Sequence, residues 1–171
     1  MPRYSIVAER SQVWFDAKSS LHPIHSSTDG LEGYVELEMG ADGVVDLAVK
    51  PTGRLSLPVS RLSSGNRMED RELYKRIDGR RFPKIEGVLD TMERSEDGES
   101  YTVSGDVTFR GISRRMEDTM TIQAIDRQTI QLAGRSRFDI RDFGMEPPRV
   151  LILKVEPEVD VRVEIIAVEE A

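Results

Sequence analysis

The chain has 171 residues, of which 38% are hydrophobic and 32% charged, and its formal net charge is −7. That length fits one domain over residues 1–171, and so lean a hydrophobic share requires each element to bury one face only. The acidic balance excludes general nucleic-acid binding, which depends on Lys and Arg neutralising phosphates, and the absence of cysteine excludes disulfides and thiolate metal sites.

Met1 to Glu9 has no basic run followed by an apolar stretch, so it does not read as a secretory signal. No segment approaches the ~20 apolar residues needed to span a bilayer. The expectation is a soluble, cytoplasmic protein without stable membrane insertion. From Gln12 onward the dominant signal is period 2, which puts alternate side chains on opposite faces of a strand. Val13, Phe15 and Ala17 alternate with Gln12, Asp16 and Lys18. Trp14, the only tryptophan, falls on the opposite face from Val13 and Phe15. As an outward aromatic it could meet a partner subunit or a membrane surface; the favoured reading is ordinary packing under a helix. His22 and His25 fall in a predicted loop without carboxylates at ligand spacing, a poor metal site, and no metal is expected.

Leu31, Gly33, Val35 and Leu37 alternate with Glu32, Tyr34, Glu36 and Glu38, and further strands are predicted around Val45, Leu47 and Val49 and around Leu55, Leu57 and Val59. The pattern then breaks. Asn66 can cap a helix in which Glu69 reaches back as in a capping box, Leu73, Tyr74 and Ile77 share a face with Asp70, and Asp78-Gly79 ends it with Gly79 in the left-handed position. Asp70 reads as a partly buried partner of a nearby arginine. Strands resume at Ile85–Arg94, Tyr101–Arg110, Met116–Ala124, Ile130–Arg141 and Val159–Ile165. Turns are predicted at Asp42-Gly43, Pro51-Thr52-Gly53, Asp97-Gly98 and Gly144 to Pro148. About eight or nine short strands imply an all-β sandwich or barrel.

Four stretches carry a family resemblance. Tyr4-Ser5-Ile6, Ser11 to Phe15 and Gly30 to Tyr34 form the first, and Met68 to Leu73 with Arg81-Phe82-Pro83-Lys84-Ile85 the second. Gly105 to Ser113 and Phe138 to Gly144 complete the set. In this order they resemble YceI-like proteins over nearly the whole chain. The resemblance implies a lipocalin-like, antiparallel eight-stranded β-barrel with one short helix between strands. It also implies a ligand that is a polyisoprenoid, a quinone or a fatty acyl compound, and leaves room for a homodimer.

An eight-stranded barrel is either filled by side chains or holds one small ligand. The inward positions mix bulky residues with Ala17, Gly33, Gly105, Ala124, Gly134 and Ser136, which either leave volume along the axis or mark places where the sheet coils. The resemblance favours the cavity. Its expected lining is Val13, Phe15, Ala17, Leu31, Val35, Leu37, Leu47, Leu57, Leu73, Ile85, Tyr101, Val103, Val107, Phe109, Met120, Ile122, Leu132, Phe138 and Ile140. Arg67, Arg71, Arg80 and Arg81 could hold an anionic head group, since guanidinium forks match phosphate oxygens; the competing reading is a solvated helix face.

No nucleophile elbow, phosphate loop, dinucleotide fingerprint or zinc motif occurs, so the expectation is a binding protein without catalytic residues or cofactor. The rivals are a small enzyme using Asp70, Glu72, Asp139 or Asp142 with a histidine, and an interaction protein with a filled barrel.

Overall fold

The computed structural model of the protein describes residues 1–147, 149–150 and 153–171. Its strands are β1 (Arg3–Ile6), β2 (Gln12–Ser19), β3 (Pro23–Thr28), β4 (Glu32–Glu36), β5 (Thr52–Pro58) and β6 (Lys84–Arg94), followed by β7 (Tyr101–Phe109), β8 (Ile112–Ala124), β9 (Thr129–Asp139), β10 (Arg149–Val150) and β11 (Leu153–Glu169). Between β5 and β6 lies the helix α1 (Arg67–Ile77).

Neighbouring strands run antiparallel in the order β4, β5, β6, β7, β8, β9, β11, and β11 returns to both β1 and β2. β1 and β2 are halves of one stave, and β3 and β4, which pair with β2 and β1, are halves of the next. The result is the closed eight-stranded antiparallel barrel expected from the sequence. The first stave breaks at a short 3-10 turn, Ala8–Arg10. Buried Ser11 repairs the break: its hydroxyl donates to the Val7 carbonyl at 2.8 Å and accepts the Ile166 N–H at 3.1 Å, a donor that would otherwise lack a ladder partner.

The hairpin between β7 and β8 turns on two residues, Arg110 (φ 52°) and Gly111 (φ 74°), the backbone hand that matches strand twist. An arginine rarely adopts this conformation. Its guanidinium holds it there by donating to the carbonyls of Phe143 and Gly144, which ties the hairpin to the turn Ile140–Phe143 after β9.

Two apolar clusters occupy the barrel. Val59, Ile77, Phe109, Ile140, Phe143, Met145 and Val159 pack at the mouth that α1 covers. At the other end Tyr4, Leu37, Val45, Tyr101, Ile122, Ile130 and Ala167 belong to the second cluster, where the Tyr101 hydroxyl accepts the Val45 N–H at 3.1 Å. The segment around Val45, Leu47 and Val49 is therefore not a strand. Apart from one bridge between Met39 and Val45 it forms a loop that packs into the floor cluster, with the staves around it already paired to one another.

Other local expectations change as well. Pro23–Thr28, including His25, is a strand rather than a loop, and Arg3–Ile6 adds a strand that alternation missed. Thr52 and Gly53 start β5 instead of turning. The strand predicted through Arg141 stops at Asp139. Of the predicted loop Gly144 to Pro148, Pro148 lies outside the described residues. Asn66 caps α1 through acceptance from Met68 N (2.9 Å) and Glu69 N (3.3 Å), but the Glu69 side chain turns instead toward His22, at 4.0 Å. At the other end Asp78, not Gly79, takes the left-handed position (φ 58°), while the Tyr74 ring lies over Gly79, where a Cβ would sit 2.3 Å from it and displace it. Asp70 bonds Ser64, through its N–H at 2.8 Å and its hydroxyl at 2.6 Å, rather than an arginine. Trp14 lies on the outer face, with the Arg162 guanidinium 4.2 Å from its ring centre, and not under the helix.

Two inward glycines do different things. A Cβ on Gly105 would lie 2.0 Å from the Val88 carbonyl oxygen beside the bulge between Leu89 and Thr91, whereas one on Gly87 would meet only Leu55 Cβ at 3.9 Å. Gly105→Ala is therefore expected to lower stability by about 1–3 kcal/mol in chemical denaturation, and Gly87→Ala to change it by less than about 0.5 kcal/mol. Equal effects would contradict the close approach at Gly105.

Candidate ligand cavity

Three apolar cavities lie in line inside the barrel. The first, about 120 Å³, sits beneath α1 between Leu73 and Ile77 of the helix and Ala17, Ile140 and Val159 of the wall. The central one, about 190 Å³, is walled by Val13, Leu31, Leu57, Gly134, Ser136 and Val161. The third, about 140 Å³, extends toward the floor along Val35, Leu89, Met92, Val103 and Leu132. For scale, a dry cavity of about 150 Å³ holds a benzene ring.

The partitions between them are side chains. Phe15, Ile85, Phe109 and Phe138 border both the first and the central cavity. Phe143 braces two of these rings edge-on, with centroids 5.6 Å from Phe109 and 6.0 Å from Phe138. Leu55, Val107, Met116, Asp118 and Met120 border both the central and the third. Methionine adapts to irregular space at low cost, so this second partition is the softer one. Each cavity alone is smaller than a typical small-molecule pocket of about 300–1,000 Å³. Neighbouring cavities share lining residues, so only side chains of the interior stand between one and the next at the Phe and Met boundaries.

Most of the predicted lining residues face these spaces. Val13, Phe15, Leu31, Leu57, Ile85, Val107, Phe109, Met120 and Phe138 border the central cavity, Ala17, Leu73 and Ile140 the one under the helix, and Val35, Val103 and Leu132 the one near the floor. Leu37, Leu47, Tyr101 and Ile122 border none of the three and pack in the floor cluster instead. Among the small inward residues, Ala17, Gly105, Gly134 and Ser136 border cavities, but Gly33 (φ 134°) does not. Its missing Cβ makes room for the Arg54 carbonyl oxygen, and Ala124 is exposed at a strand end. Gly87, which borders two cavities, is the open glycine.

Arg67, Arg71, Arg80 and Arg81 are exposed and border none of the three cavities; Arg81 lies over the Phe82 ring at 5.2 Å. The carboxylates considered for acid–base work are dispersed. Glu72 pairs with Arg76 at 2.9 Å, and the Arg141 guanidinium holds the Asp139 carboxyl below its ordinary range. His25 pairs with Asp16 on the outside at 2.5 Å.

One interior polar residue escaped sequence reasoning. Asp118 lies in β8 between Met116 and Met120, opposite Val103 of β7, and borders both the central and the third cavity. Its Oδ1 is sealed from solvent and has no hydrogen-bond partner among the described residues. Burial pushes this carboxyl up to about 6; the Ser136 hydroxyl pulls it down, and the like charge of Glu117 adds to the rise. The signal was present in the alternation Met116, Asp118, Met120, Ile122, a charged residue on an otherwise apolar face.

The family profile of YceI-like domains matches residues 4–167. Among solved structures, Burkholderia cenocepacia BcnA is similar with a TM-score of 0.76 at 14% identity, covering 94% of this chain and 98% of BcnA. A polyisoprenoid-binding domain from Saccharophagus degradans, implicated in plant cell wall breakdown, gives a TM-score of 0.75 at 12% identity over 98% of both chains. The Campylobacter jejuni YceI protein gives 0.67 at 12% identity over 85% of both. At these identities the likeness is one of fold. No protein of curated function matches the chain. No helix among the described residues is long and apolar enough to cross a membrane.

Because the folded protein holds the Asp118 proton more tightly than the unfolded chain does, the contribution of this residue to stability is fully present below the ordinary value of 3.8 and is lost as pH rises to about 6. Asp118→Asn is expected to raise stability at neutral pH by about 1–2 kcal/mol, allowing for solvent screening, and to give no gain in acid. Denaturation midpoints across pH check this; a gain of the same size at every pH would contradict it.

Proposed function

The chain belongs to the family of YceI-like domains, and from that premise we propose that it is a binding protein that takes an apolar chain, prenyl or acyl, into its barrel without covalent chemistry. The observation that carries this reading is the line of three apolar cavities, neighbours of which share lining residues, Phe15, Phe109 and Phe138 at one boundary and Met116 and Met120 at the other. The polyisoprenoid-binding description of the Saccharophagus degradans domain agrees with it. Burial contributes ~0.8 kcal/mol per CH₂. About ten buried carbons therefore approach the ~8 kcal/mol of a micromolar Kd before ordering costs are subtracted.

Such a term is non-directional, so the channel selects girth and length ahead of chemical identity. Entry runs beneath α1, where the first cavity lies between the helix and the strands. The exposed arginines of the helix are not required by this reading. Storage, transport and sensing all use the same bound state.

Titration with a fluorescent apolar probe, followed by displacement with a long-chain isoprenoid alcohol, tests the reading. Gly87→Leu, which fills the space shared by two cavities, is expected to weaken probe binding at least about tenfold while leaving the circular dichroism spectrum unchanged. Thr119→Leu adds apolar atoms on the outside of the neighbouring region and is expected to bind as the wild type does. If the two variants bind equally well, the ligand does not occupy the barrel.

A further inference from the structure

A buried carboxyl between two of the cavities suits a narrower class of ligand than apolarity alone selects. Asp118 projects at the soft partition between the central cavity and the floor cavity, flanked by Met116 and Met120 along its own strand and by Val103 across the pairing with β7. On the other side, Thr119 pairs with Arg135, which puts Ser136 beside Asp118. Ser136 in turn pairs with Val161. Among the inward side chains just named on β7, β8, β9 and β11, one carboxyl and one hydroxyl are the polar groups.

Resting on the reading of the barrel as a chain-binding channel, we propose that the Asp118 carboxyl is an internal anchor for an uncharged hydrogen-bond donor, so that the preferred ligand is a long apolar chain carrying a hydroxyl group that enters the barrel first. Oδ1 is an acceptor buried without a partner, and an acceptor in that state costs free energy that a ligand O–H recovers on binding. An apolar chain end leaves that cost in place. An anionic end, carboxylate or phosphate, would set a second negative charge against Asp118 in surroundings that screen poorly, and is rejected. The cation near this level, Arg135, borders the central cavity but is exposed, pairs with Thr119 and Arg162 on the outer face, and forms no ion pair with Asp118 among the described residues. Discrimination of this sort follows the general asymmetry that a site built to hydrogen-bond a hydroxyl rejects the analogue lacking it far more strongly than it rejects a change of one methylene.

The experiment is displacement of a fluorescent apolar probe from the full chain by three chain-matched compounds, hexadecanol, its methyl ether and palmitate, at about pH 8, where the Asp118 carboxyl is ionised. The alcohol is expected to displace the probe at least about tenfold more effectively than the ether, and palmitate, whose carboxylate end is kept from Asp118, to do no better than the ether. In Asp118→Leu the preference for the alcohol over the ether disappears while displacement by the ether improves; Asp118→Asn, which keeps an acceptor, retains part of the preference. Equal displacement by alcohol and ether in the wild type, or a preference that survives Asp118→Leu, overturns the anchor and leaves the chain-binding reading standing. If neither the probe nor any of the three compounds binds, the chain-binding reading itself falls.

Discussion

The structure depends on closure of the sheet. β11 hydrogen-bonds to β9 along one edge and to β1 and β2 along the other, and that seam turns an open sheet into a closed ring. Closure fixes which side chains face inward, because a slip of one residue would move every apolar side chain to water. With eight staves the interior is wide enough to leave space that the inward residues do not fill. A chain with 38% hydrophobic residues can sustain this arrangement because one face of each strand supplies the interior and the other carries the charge.

Closure also explains how the two ends differ. At the floor, the loop through Val45 and Leu47 packs as a plug, fastened to Tyr101. At the mouth, α1 covers the opening with Leu73 and Ile77, and a cavity remains beneath it. The mouth is further organised by Arg110, whose reach to the Phe143 and Gly144 carbonyls keeps the β7–β8 hairpin and the turn after β9 together. Phe109 and Phe143, on those two elements, then meet edge-on at the boundary of the cavities. Three apolar cavities in line, with a packed floor at one end and α1 at the other, are the geometry from which the proposed function follows.

Sequence reasoning recovered the ring where strands alternate cleanly, as in Tyr101–Phe109 and Thr129–Asp139, since there burial follows period 2. It failed where period and pairing part company. Val45, Leu47 and Val49 alternate like a strand but make only the single Met39–Val45 bridge among the described residues, and Pro23–Thr28 pairs as a strand although its residues are too polar to announce it. Most of the cavity lining was legible as the apolar face of each strand. The division of that face into cavity and floor was not, because it depends on which loop plugs which end. Gly33 and Gly105 suggested open volume, yet close backbone approach explains both. Asp118 was legible as a misplaced charge within Met116–Ile122, and only the closed ring shows that this charge faces the cavities.

The central claim is that the barrel interior is a place for a ligand and not merely loose packing. Organic extraction of gently purified protein, followed by mass spectrometry of the extract, tests it most directly. The account predicts an apolar or hydroxyl-bearing long-chain compound in an amount comparable to the protein, and its loss from the Gly87→Leu variant. Protein that is well folded yet yields no such compound, in wild type and variant alike, would contradict it.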